Sequence, residues 1–545
     1  MSFLRQFGWL ALAVGSFGVV ACSGGDPDPV PSPGPAPRVF EPPEPKLVRL
    51  LERQYINSVG QLLGEAAMKV ASPPEDTHLQ GFKSIAATQL AVNDAVVAQY
   101  EHSARAAAAA AIADQHHIAA ILASCDPDES ATNCYQLFAE RFGRLAFRRP
   151  LVDQEVSDYV ALAKQSQKSF GDFYSGIEAT ISGMLQSPNF LYRVEIGEPT
   201  DDGKSRKLTA HEVASRMSFF LLDTTPSASL LSAAEDGRLD NEQSLREVAA
   251  ELLTEPAAKK ATAAFFSEYL ALDHLDDLTK DPKLYPQFSP ELAASMKRET
   301  LELIADVVWR NDLAIDTILT AKHSFLDSKL AAHYGVDFED KKDWTRVTLP
   351  SKQKRSGLLN HGSVMSVQSH PTSTSVTYRG LFIMERFLCQ SMPPPPPGVV
   401  AELPPTSTAP TMRERLAVHL EDPTCAGCHT TSDNLGLAFE NFDSVGVFRT
   451  KENGATIDTA VELEPIGEFD GPAELGELLA SMTEVKACIL RHVFRHATGR
   501  VETSGDLAAI DALDEHFAES GFRFKQLLID FVANEVFSHV GNIEP

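Results

Sequence analysis

The sequence predicts a mainly α-helical protein, built of consecutive helical bundles with minor β-ribbons. Three observations predict it. Apolar residues recur at spacings of three and four along much of the chain, helix start signals are frequent, and strand-like stretches are short, such as "WTRVTLP" at 344–350. The 43% hydrophobic content fits a folded protein, while the formal charge of −27 argues against nucleic acid as a partner, since phosphates need clustered Lys and Arg.

Taken in order, "MSFLRQFGWLALAVGSFGVVACSGG" reads as an export signal over 1–21. Arg5 gives a positive start, Phe7 to Val20 an apolar run too short to span a bilayer, and Cys22 closes a small-residue cleavage site of the lipoprotein type. Cys22 is the expected lipidation site, and the proline-rich residues 22–45 are a tether lifting the rest off a membrane. The implied location is that of an exported, membrane-anchored lipoprotein, in the periplasm or on the outer membrane.

Beyond the tether, "LVRLLERQYINSVGQLLGEAA" puts Leu47, Leu50, Leu51, Tyr55, Val59, Leu62 and Leu63 on one helical stripe. "SARAAAAAAIADQHHIAAILASC" is rich in alanine, the strongest helix former. "KLTAHEVASRMSFFLLDTTP" opens with a capping box from Thr209 to Glu212, and "FSPELAASMKRETLELIADVVWRND" with Ser289 as N-cap and Pro290 at the first helical position. "MPPPPPGVVAELPPTSTAPT", residues 392–411, reads as a spacer of polyproline type.

Seven cysteines in an exported chain suggest pairing. With Cys22 set aside, Cys125 and Cys134 bracket a polar loop, "CDPDESATNC", and are expected to form a local disulfide. Elimination leaves Cys389 and Cys488 as the long-range pair. Cys425 and Cys428 stay together, with His429 directly after them. This CxxCH has the minimal order for covalent haem c: two thiols for the vinyl groups and an imidazole for the iron. A local Cys425–Cys428 disulfide and a zinc site using His429 are the alternatives. Met482, just before a predicted helix, and His492, on that helix with His496, are the candidates for the sixth iron position, and packing histidine is the plain alternative for both rings.

Several stretches, in chain order, resemble a known set of domains. They are "RLLERQYINSVGQLLG", "FAERFGRLAFRRPLVDQE", "MLQSPNFLYRVE", "HEVASRMSFFLLDTTP", "SFLDSKLAAHYGV", "SGLLNHGSVMSV", "YRGLFIMERFLCQSMPPPPP" and "CAGCHTTSDNLGLAFENFDSVGVFRT". The set comprises the bacterial domains of unknown function numbered 1587, 1595, 1592, 1588 and 1585. They occur together in exported proteins of planctomycetes and myxobacteria, often with cytochrome c modules. The resemblance implies domains at 46–118, 119–200, 201–350, 351–450 and 451–545, with a cytochrome-c-like CxxCH region toward the C-terminus. Cys425, Cys428, His429, Asp433, Gly436, Glu440, Asn441, Phe442, Asp443, Gly446 and Arg449 match the usual pattern, and Asn434 stands where proline is usual.

Glu440 and Asp443 are expected to be structural. Arg148, Arg149, Arg193, Arg216 and Arg379 are expected to tie helices to carbonyls or carboxylates. The expected function is electron transfer through one haem c, for or within an extracytoplasmic oxidoreductase. Its partners are a membrane, through the lipid anchor, and a redox protein. The alternative is a haem-free envelope lipoprotein that binds a polysaccharide or a protein, with Cys425 and Cys428 as a disulfide. No catalytic residue is identified.

Overall fold

The computed structural model describes residues 39–543 except 90–91, 115, 123–124, 339–343, 394–404 and 422, and leaves the side chains of 418, 419, 423–425 and 428 undescribed. Cys22 with segment 1–21, most of the tether, the prolines at 394–397 and the thiols of Cys425 and Cys428 therefore lie outside the described residues. Among the described residues, no helix is long and apolar enough to cross a membrane.

The first helix, α1 (Glu52–Leu63), buries Tyr55, Val59, Leu62 and Leu63, as its stripe predicts. Its free N-terminal amides attract a carboxylate: Asp76 accepts from the Glu52 amide at 2.7 Å and from Arg49 at 2.6 Å. Leu47 departs from the stripe and is 59% exposed, because the chain there is still extended before the strand Val48–Arg49. Helix α2 (Asp94–Asp114) turns Ala104, Ala107, Ala108 and Ala111 inward. Helix α3 (Pro127–Phe147) corrects one expectation. The "CDPDESATNC" segment is a helix start and not a loop, with Asp126 as N-cap and Pro127 at the first position, although Ser130 is non-helical. Cys125 and Cys134 form a disulfide across it. With α4 (Asp153–Phe170) and α5 (Phe173–Leu185), these helices enclose a first core around Tyr55, Phe138, Phe142, Ile177 and Phe190.

A larger core extends from Phe82 to Val540. Into it pack α6 (Ala210–Leu221), whose Thr209–Glu212 capping box forms, and α7 (Pro256–Tyr269). Helix α8 (Pro290–Ala305) starts at Ser289 and Pro290 as predicted. It is followed by α9 (Val376–Phe387), α10 (Met412–Glu421), α11 (Pro423–Leu437), α12 (Thr483–Thr498) and α13 (Phe524–Ala533). The two cores draw on several segments each. One core serves segments 46–118 and 119–200 jointly. Most of the rest of the chain shares the other, which also takes Phe82 and Ile85 from the first segment.

Strands are short and antiparallel. Strand β1 (Val48–Arg49) pairs with β2 (Tyr192–Arg193). Strands β3 (Glu198–Pro199) and β4 (Arg206–Lys207) form a ribbon, and β5 (His323–Leu326) pairs with β6 (Thr345–Thr348) inside the predicted "WTRVTLP". The late strand β7 (His539–Val540) adds to the free side of β4. Buried arginines reinforce these joints. Arg148 donates to the carbonyls of Asn189, Phe190 and Tyr192, while Arg216 bridges Glu195 at 2.6 Å and the Phe537 carbonyl at 2.6 Å. Arg193 lies 3.5 Å from Glu195, and Arg149, less buried, pairs with Glu155.

Candidate functional site

The CxxCH motif lies on α11. A helical backbone sets Cys425, Cys428 and His429 at i, i+3 and i+4, along one face. One turn further, the Asp433 carboxylate is within 2.9 Å of His429 Nδ1. Asp433 is buried, with a side chain 2% exposed, and its other oxygen accepts from the Thr377 hydroxyl of α9 at 2.8 Å. A carboxylate only accepts hydrogen bonds, so the proton of the pair sits on Nδ1. In neutral histidine that leaves the lone pair on Nε2, the arrangement that orients imidazole ligands of metals and raises their basicity. The donor set therefore fits an iron ligand at His429, held by a carboxylate that a second helix fixes.

The closeness of the two helices makes this possible. A Cβ on Gly380 of α9 would lie 1.7 Å from the Ser432 carbonyl oxygen, and one on Gly436 of α11 would lie 1.8 Å from that of Val376. Each helix thus presses its backbone onto the other's glycine, bringing Thr377 within reach of Asp433.

The stretch after α11 is scaffold, as expected for Glu440 and Asp443. Arg379, 1% exposed, donates to the carbonyls of Phe439, Phe442 and Asp443 and to Glu440. Glu440 also accepts from Thr374 at 3.0 Å and Arg449 at 2.9 Å. The Asp443 carboxylate accepts from the amides of Val445 and Val447, closing the turn in which Gly446 takes φ +79°. Asn441 and Arg449 exchange backbone and amide hydrogen bonds across the same loop.

Met482 caps the start of α12 and packs half-buried against the larger core. His492 is buried on α12, where desolvation pushes its pKa down to about 3 and keeps it neutral. Its Nε2 is 3.1 Å from the Glu385 carbonyl oxygen and its ring lies beside Tyr269 and Phe82. Cys389 and Cys488 form a disulfide, and the Cys389 sulfur lies 3.8 Å from that ring. The Asp433 support is legible as an H-x-x-x-D spacing on a helix. Thr377, more than fifty residues upstream, carries no local signal.

Five family models match the chain, each described as a protein of unknown function: DUF1587 over residues 49–113, DUF1595 over 134–195, DUF1592 over 208–336, DUF1588 over 355–452 and DUF1585 over 467–537. The short name of the fourth, PSCyt3, hints at a cytochrome-associated set. No curated protein and no solved structure matches the chain. The chain thus carries all five of these domains of unknown function, in this order.

Proposed function

We propose that this is an exported lipoprotein, anchored through Cys22, that holds one haem c through Cys425, Cys428 and His429 and transfers electrons to a redox protein, for or within an extracytoplasmic oxidoreductase. The observation that carries the reading is the Thr377–Asp433–His429 chain of hydrogen bonds, which supports the histidine of a CxxCH as a metal ligand. Bound there, haem supplies one-electron chemistry at a potential set by its axial ligands and their hydrogen bonds. Asp433 holds the proton on His429 Nδ1, and Thr377 holds Asp433. Met482 and His492 are the candidates for the distal side. Methionine gives the higher potential, and His492 must first release the Glu385 carbonyl.

The test is expression in a host with periplasmic haem-attachment machinery, then a denaturing gel stained for haem peroxidase activity. A stained band that disappears in Cys425→Ala/Cys428→Ala is the expected result. An unstained band, with Cys425 and Cys428 joined by mass spectrometry, refutes it in favour of the haem-free lipoprotein. Replacing Met482 and His492 in turn, followed by the absorption spectrum, identifies the distal ligand.

A further inference from the structure

A cleft of about 1160 Å³ opens between residues 76–83, the turn Leu272–Asp276 and the face of α9 turned away from α11. The α9 wall is a stripe at helical spacing: Tyr378, Leu381, Phe382, Glu385 and Arg386. Its volume admits a ligand of several rings. Helix α9 is thus a common wall. Tyr378 faces the cleft, while its neighbour Thr377 holds Asp433.

Arg386 is the unusual group in this wall. The other cations at the cleft have carboxylate partners: Arg53 pairs with Asp223 and Glu268, and Lys83 lies 3.8 Å from Asp273. Among the described residues, the Arg386 guanidinium makes no hydrogen bond; burial lowers its pKa, and the charge of the neighbouring Glu385 carboxylate partly offsets that. It lies against Gly81, where a Cβ would come within 2.4 Å of Nη1 and where φ is +86°. A partly buried charge without a hydrogen bond is costly, and an anion that enters the cleft and bonds to it relieves that cost.

The rest of the lining narrows the anion. Asp277 and Glu385 are exposed acceptors that repel a polyanion and take hydroxyl donors instead. Tyr378, 48% exposed, and the stacked rings of His78 and His274, 6.2 Å apart, offer flat faces to a ring. We propose that the cleft binds a sugar acid, with its carboxylate on Arg386 and its hydroxyls on Asp277 and Glu385. Bidentate pairing of a carboxylate with a guanidinium supplies both the charge and the orientation. This site stands apart from the haem reading and does not depend on it.

Calorimetric titration of the full chain tests it, with galacturonate, which carries a single carboxylate, its methyl ester and inorganic phosphate as probes. Galacturonate is expected to bind, the ester at least tenfold more weakly, and Arg386→Gln to weaken the acid by a similar factor. Should that variant fail to fold, Tyr378→Ala, at an exposed position, is expected to cost at least threefold. Absence of galacturonate binding, equal binding of acid and ester, or full affinity in Arg386→Gln or Tyr378→Ala overturns the proposal. Phosphate binding without galacturonate binding overturns it too, by assigning the guanidinium to a different anion.

Discussion

Replacing Gly380 by alanine tests how α9 supports the CxxCH helix. The new Cβ would stand 1.7 Å from the Ser432 carbonyl oxygen, whereas ordinary contact begins near 3.4 Å, so α11 must withdraw by about 1.7 Å. The obstacle is backbone and has no rotamer to escape into. The same withdrawal takes the Thr377–Asp433 hydrogen bond from 2.8 Å to about 4.5 Å, beyond bonding distance. Overpacking costs about 1–3 kcal/mol, a hydrogen bond to a buried charge about 1.5–3, and the helix gain of alanine over glycine returns about 1. The expected loss is about 1.5–5 kcal/mol. Gly427→Ala is the control on α11, since nothing lies within 4 Å of its Cβ, and it should gain about 0.5–1 kcal/mol. Urea unfolding followed by circular dichroism measures both, and hydrogen exchange of residues 423–437 locates the effect. If Gly380→Ala equals wild type, or follows Gly427→Ala, the close crossing does not set the position of Asp433 and the reasoning fails.

Two further outcomes are expected. Asp433→Asn removes the negative charge behind His429 and should raise the reduction potential of the haem-loaded chain in spectroelectrochemistry, and an unchanged potential rules out the carboxylate as its support. Glu299 of α8, buried and accepting from Ser324 and Tyr334, has its pKa raised by desolvation from 4.5 to about 7. Its protonated form favours folding, so its contribution, on the order of 3 kcal/mol, is complete below about pH 4.5 and is lost as pH rises through 7. Glu299→Gln should flatten the stability profile over that window in denaturation curves, and an unchanged slope removes Glu299 as the source.

Features written locally were legible in the sequence. The Thr209–Glu212 capping box and the Ser289–Pro290 start depend on residues within one turn, and both formed where the pattern put them. "CDPDESATNC" misled because its polar composition resembles a loop, although Asp126-Pro127 also fits an N-cap followed by the first helical position. At the candidate site, His429 and Asp433 share one helix and were within reach of pattern reasoning, but Thr377 and Gly380 act from another. Their roles arise from the distance between two helices, which no local spacing encodes. Arg386 was hidden for a related reason, since only the assembled cleft shows a guanidinium without a hydrogen bond. That hydrophobic side chains from distant segments fill one core is likewise not written in any local stretch.

The addition of β7 to β4 also bears on how the molecule comes to be. Residues 206–207 wait for 539–540, Arg216 waits for the Val536 and Phe537 carbonyls, and the Gly541 amide bonds to Pro43 across nearly the whole chain. Native contacts this far apart in sequence close late, after a large loss of loop entropy. A ribosome that has made the first two hundred residues has therefore released segments whose final partners do not yet exist. The first core draws only on residues up to Leu191 and can close among its own helices, but the larger core stays incomplete until residues such as Phe524, Phe531 and Val540 have been added. Closure of the larger core is thereby deferred until its last contributing segment exists, which leaves a long interval in which residues from 208 onward lack their final packing.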